Sequence, residues 1–194
     1  MNFILGKKIG MSQMYDKDGK LTPVTLIVAG PCNILQKKTK ETDGYEALQI
    51  GYEKIEKKDK IGKSMKGKEY KYIKEENIAG AVGDEISVAS FKEGDKIKVS
   101  GMSKGKGFQG GVKKHGFHGR RATHGVKHEH RTIGSVGTRF PQHVMKGRKM
   151  PGRMGYDRIS VKGLKIMKIE PENNLMVIKG AVPGVKGALL EIRG

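Results

Sequence analysis

The stretch Gly101–Gly155 reads GMSKGKGFQGGVKKHGFHGRRATHGVKHEHRTIGSVGTRFPQHVMKGRKMPGRMG, and it divides the chain. Its basic residues are Lys104, Lys106, Lys113, Lys114, Arg120, Arg121, Lys127, Arg131, Arg139, Lys146, Arg148, Lys149 and Arg153, thirteen in all, against one acid, Glu129. That is a net charge of 13 − 1 = +12, out of +19 for the whole 194-residue chain. All six histidines (His115, His118, His124, His128, His130 and His143) and thirteen of the 29 glycines fall in the same window. Its apolar side chains, among them Phe108, Val112, Phe117, Ile133 and Phe140, follow no sustained period. Ordering a residue's backbone costs on the order of 1–2 kcal/mol, which such sparse burial cannot offset. A segment of more than fifty residues without evident secondary structure is unusual inside a compact domain and points to function. It is expected to order against a partner, and phosphate supplies the countercharge it lacks.

Outward from this segment the pattern changes. Before it, Thr22–Ala29 (TPVTLIVA), Asn33–Gln36, Ala47–Tyr52, Ile86–Ala89 and Lys96–Ser100 are short β-branched or alternating runs, separated by Gly-Pro and Asp-Gly turn signals. After it come Arg158–Val161, Leu164–Ile169, Leu175–Lys179 and Ala188–Ile192, with Pro171-Glu172-Asn173-Asn174 placed as a hairpin loop. Strands at this spacing predict a mainly β fold, a closed or nearly closed barrel or sandwich. The two strand groups are expected to form one discontinuous core, 1–100 with 156–194. Residues 101–155 are then a long, largely irregular basic extension inserted between them. A second lysine-rich stretch, Glu53–Glu76, sets nine Lys against six acids and reads as a solvated loop, or else as an auxiliary RNA contact.

Several function classes lose their footing. The single cysteine, Cys32, excludes an intramolecular disulfide and a zinc site of the Cys-Cys-His-His kind. No apolar run approaches the ~18 residues of a membrane span. The opening MNFILGKKIGMSQMYDKDG lacks a leader's apolar core, so a cytoplasmic, reduced protein is expected. Gly105-Lys106-Gly107-Phe108-Gln109-Gly110 fits G-x-G-x-x-G, but Gly111–Gly116 reads as a poor helix and the nearest acid, Glu129, lies among histidines. No cofactor is expected. His124, His128 and His130 raise the alternative of a metal-dependent nuclease, yet one Glu is a poor supply of hard ligands. No nucleophile, base and orienting carboxylate come together, so no catalytic residue is assigned. The cations sit in twos and threes between glycines, without the helices or aromatic pair of base-reading modules. Structured RNA is the expected ligand, with a DNA-compacting role as a second alternative.

Particular strings carry a resemblance. Gly6-Lys7-Lys8-Ile9-Gly10-Met11, Pro23-Val24-Thr25, Asp43-Gly44-Tyr45, Ser103-Lys104-Gly105-Lys106-Gly107-Phe108-Gln109-Gly110, Ala122-Thr123-His124-Gly125, Gly134-Ser135-Val136-Gly137, Lys146–Gly155 and Lys179–Gly184 follow one another in order. Together they resemble the universal large-subunit ribosomal protein L3 family in its bacterial form, over nearly the whole chain. The resemblance implies a translation-protein-type β-barrel and an extension reaching toward the peptidyl transferase centre. It also implies direct binding to 23S rRNA, an early assembly role, neighbouring large-subunit ribosomal proteins as further partners, and no small-molecule substrate. With His115 and His124, the thirteen cations named above are the residues expected to contact RNA. Two departures matter: Arg153 stands where some bacterial relatives have a glutamine that is methylated, and Lys57–Tyr72 is shorter and richer in lysine, with Ile61-Gly62-Lys63-Ser64 in place of the usual string.

Overall fold

The computed structural model describes residues 2–16, 18–56 and 61–194, so Lys57–Lys60 of the lysine-rich stretch lie outside the described residues. Six strands close the barrel: β1 (Phe3–Tyr15), β2 (Leu21–Ala29), β7 (Lys96–Met102), β10 (Arg158–Glu170), β11 (Leu175–Lys179) and β12 (Leu189–Arg193). Their order is β1-β12-β7-β10-β11-β2, every neighbouring pair antiparallel. The first strand therefore lies beside the last, with Phe3 opposite Arg193 and Gly6 opposite Leu190. Closure leaves the barrel without an open edge.

The alternation along each strand fills the interior. Ile4, Ile27, Ile97, Val99, Ile166, Met176, Ile178, Leu190 and Ile192 are all at most 2% exposed. Each such side chain contributes roughly 1.5–3 kcal/mol by leaving water. A second sheet, ordered β5-β4-β3-β6, is built from β3 (Cys32–Lys38), β4 (Ala47–Lys54), β5 (Tyr70–Glu76) and β6 (Glu85–Ile86). Cys32, Ile50 and Tyr52 from this sheet and Val88 just after it join Phe3, Leu5 and Ile27 in one continuous apolar core. The mainly β, barrel-centred reading holds, but the strands before residue 101 divide between the barrel and this second sheet.

Two local expectations are corrected, and one strand appears where none was expected. Phe3–Tyr15 forms a full strand although it shows no alternation: Phe3, Ile4 and Leu5 are buried on both faces, and Lys8 is buried as well. Tyr70–Glu76, read within a solvated loop, is a strand whose Tyr72 stacks on Tyr52 at 6.3 Å between ring centroids. Ile86–Ala89 is not one strand. Pairing ends at Ile86, and Val88–Ser90 turns as a 3-10 helix that sends Val88 into the core. Arg158–Val161 and Leu164–Ile169 join into one strand, with a bulge between Val161 and Leu164. Pro171–Asn173 makes the tight 3-10 connection to β11, and Asn174 takes a φ of 50°.

Candidate nucleic-acid interface

Strand β7 ends at Met102 and β10 begins at Arg158, and these two residues are partners in the β7–β10 ladder. The chain thus leaves and re-enters the barrel sheet at adjacent positions. Lys104–Asp157 forms a compact unit of its own. It holds only two two-residue strands, β8 (Phe108–Gln109) and β9 (Gly152–Arg153), and one five-residue helix, α1 (Gly111–His115). The expected poor helix at Gly111 is therefore a helix, but it is a single turn closed by Gly116, and no second parallel strand follows to make a dinucleotide site.

What order the unit has comes from a few contacts. Gly111 is its one buried residue among those described, because a Cβ there would strike Ile133 and the Phe117 ring. His115 Nε2–H donates to the Met150 carbonyl at 3.0 Å, tying α1 to the chain's return. Arg120 N–H donates to the His130 carbonyl at 3.2 Å across a turn that Gly119 enters at φ 73°. His130 Nε2–H donates to the Val126 carbonyl at 2.6 Å, and Arg148 donates to the Ser135 carbonyl at 2.5 Å. Histidines here brace the backbone. No group of three His, Cys, Asp or Glu among the described residues is placed to hold a metal.

The electrostatics separate this unit from the rest. In the barrel and second sheet, several cations meet acids. Glu53 accepts from Lys7 and lies 3.6 Å from Lys71, and the Lys7 ammonium holds its carboxyl below the ordinary range. Lys38 meets Glu75 at 3.0 Å, Arg193 meets Glu76 at 2.5 Å, and Glu191 takes both Arg158 and Lys74. Within Gly101–Gly155 the one acid, Glu129, is taken by Arg120 at 2.6 Å. The other twelve cations have no carboxylate in that stretch to pair with. Lys104, Lys106, Lys113, Arg120, Arg121, His124, Lys127, Arg131, Arg139, Lys146, Arg148, Lys149 and Arg153 are exposed, and Lys114 and His115 are half-buried. Lys113, Lys114 and His115 share one helical turn, while Arg153 pairs with Phe108 in the β8–β9 ladder and Lys106 N–H donates to the Met154 carbonyl beyond it. Crowded, solvent-facing cations without acids repel one another, and a polyanion removes that repulsion.

Known proteins match this chain over nearly its whole length. Residues 77–174 match the family model of ribosomal protein L3. The large ribosomal subunit protein uL3 of Carboxydothermus hydrogenoformans is 49% identical, over 98% of this chain and 95% of the relative. The chain belongs to the ribosomal protein L3 family. The uL3 proteins of Syntrophomonas wolfei and Thermosipho africanus, each 46% identical, match 98% and 100% of the chain and cover 94% and 98% of their own lengths. Members of the L3 family are structural constituents of the ribosome, not enzymes, and in bacteria the ribosome is cytoplasmic.

Sequence reasoning placed the cations and missed three rings. Phe108, Phe140 and Tyr156 are 77%, 69% and 60% exposed within the unit. Their only signal in the sequence is their occurrence in a stretch too glycine-rich to bury them.

Proposed function

We propose that this chain is a structural constituent of the large ribosomal subunit that binds 23S rRNA directly through 101–155. The barrel anchors the chain, and the basic extension enters the folded RNA and reaches toward the peptidyl transferase centre. Binding of this kind, made early, lets the RNA fold around the extension during subunit assembly, beside neighbouring ribosomal proteins. One observation carries the reading: thirteen cations against one acid in a segment whose described residues include only two buried ones, Gly101 and Gly111. Phosphate contacts position such a chain, while glycine and histidine allow close approach to an RNA surface.

The test is a binding titration of the full chain against a large-subunit RNA fragment and against duplex DNA at matched salt. A preference for the RNA is expected. If about six to ten phosphates are contacted, log K falls with log salt at a slope of roughly −4 to −9. Equal affinity for any duplex would favour a compacting role. Cleavage abolished by a chelator would favour a nuclease.

A further inference from the structure

We propose that Phe108, Arg153 and Tyr156 form a stacking platform for an unpaired nucleobase, so that the extension grips bases as well as phosphates. The inference rests on the RNA-binding reading above. Strands β8 and β9 pair Phe108 with Arg153 and Gln109 with Gly152. The ladder continues through Lys106 N–H to the Met154 carbonyl at 2.9 Å and Met154 N–H to the Gly107 carbonyl at 3.0 Å. Residues directly opposite on an antiparallel pair share a face, with Cβ atoms roughly 4.5–5.5 Å apart. The Arg153 guanidinium also lies 5.1 Å from the centroid of the Tyr156 ring, within cation–π range. Arg153 thus has the Tyr156 ring within cation–π range and Phe108 as its cross-strand partner on the same face.

Neither ring serves the fold. Phe108 is 77% exposed and Tyr156 60%, whereas Phe3 and Phe91 lie in the core at 2% and 4%. Tyr156 takes a φ of 58°, a left-handed conformation uncommon for a residue with a side chain. Exposed rings do nothing for a phosphate, which asks for cations and N–H donors. The ligand with a flat apolar face and an anionic backbone is a nucleotide whose base is out of the helical stack. Such bases stack on aromatic rings and on Arg planes. Arg139, 5.8 Å from the ring of the 69% exposed Phe140, repeats the pairing elsewhere in the unit.

The experiment uses the full chain and a deproteinised large-subunit rRNA transcript. Phe108→Leu with Tyr156→Leu keeps apolar bulk and every cation but removes both rings. Affinity should fall by at least about ten-fold, within the range for losing base–aromatic stacking, at an unchanged salt slope. Phe108→Tyr with Tyr156→Phe keeps the rings and should bind within about two-fold of the parent. Ultraviolet cross-linking of the parent should join the peptides holding Phe108 and Tyr156 to unpaired nucleotides. Parental affinity in the leucine variant, or cross-links confined to duplex, would overturn the platform and leave the RNA-binding reading standing. Failure of the parent chain to prefer the transcript would overturn that reading itself.

Discussion

Replacing Lys146, Arg148 and Lys149 together by glutamine isolates the electrostatic part of RNA binding. All three are exposed, and the one acid inside Gly101–Gly155, Glu129, is taken by Arg120. Arg148 donates a hydrogen bond to the Ser135 carbonyl, and that contact lies wholly within Lys104–Asp157. Each phosphate contact contributes about 0.7 to 0.9 to the slope of log K against log salt. Loss of three should make the slope shallower by about 2 to 3. Between about 50 and 200 mM salt, the variant should then lose roughly 16- to 60-fold less affinity than the parent loses. Barrel stability should hardly change, since surface substitutions usually stay within about 0.5 kcal/mol, or roughly 1–2 °C in Tm for a chain of this size. The assay is a filter-binding or anisotropy titration of large-subunit RNA at four salt concentrations, with a thermal melt beside it. An unchanged slope would refute the assignment of these residues to phosphate. A fall in Tm of many degrees would mean that they support the core.

Three further outcomes follow from single residues. Lys8, 8% exposed, donates from Nζ to the Val182 and Gly184 carbonyls at 3.0 and 3.3 Å. Lys8→Met strands those acceptors and should cost about 1–3 kcal/mol, a drop of roughly 2–10 °C in a thermal melt. Burial pushes the Cys32 thiol up from 9.0 to about 12, so the folded chain keeps a proton that the unfolded chain releases. The stability this provides is complete below about pH 9 and is lost as the pH rises toward about 12, by roughly 1.4 kcal/mol per unit. Urea midpoints near pH 8 and pH 10 should therefore converge in Cys32→Ala relative to the parent. At Gly119, with φ at 73°, a Cβ would run into the His130 carbonyl oxygen. Gly119→Ala should weaken RNA binding while leaving the barrel's melt unchanged, and calorimetry beside the binding titration reads both.

The barrel was legible where strands alternate around turn signals. Thr22–Ala29 and Lys96–Ser100 present one face to the core, and Pro171–Asn174 closes a hairpin by its own turn chemistry. Strand β1 escaped because Phe3–Gly6 are buried on both faces and Lys7, Lys8 and Gly10 follow, so no period survives. Lys8 shows why charge alone misleads: backbone carbonyls of a distant loop hold its ammonium, and nothing local in the sequence announces them. Strand β5 escaped for the opposite reason, since its lysines and glutamates are ion-paired sheet residues that read as a solvated loop. In the extension, the cations were legible because a charge excess needs no geometry. The Phe108–Arg153–Tyr156 cluster was not, because it depends on a pairing across 45 residues of sequence that only the fold supplies.

The most direct test removes the extension. Met102 and Arg158 are ladder partners, so a two-residue Asn-Gly turn can replace the intervening chain and leave a β7–β10 hairpin in the barrel. Binding of this shortened chain to large-subunit RNA, measured beside the full chain with salt varied, reads the central claim. The shortened chain should keep a cooperative melt and lose most of its RNA affinity and most of its salt slope. RNA binding at the full chain's strength would contradict the assignment of the interface to residues 101–155.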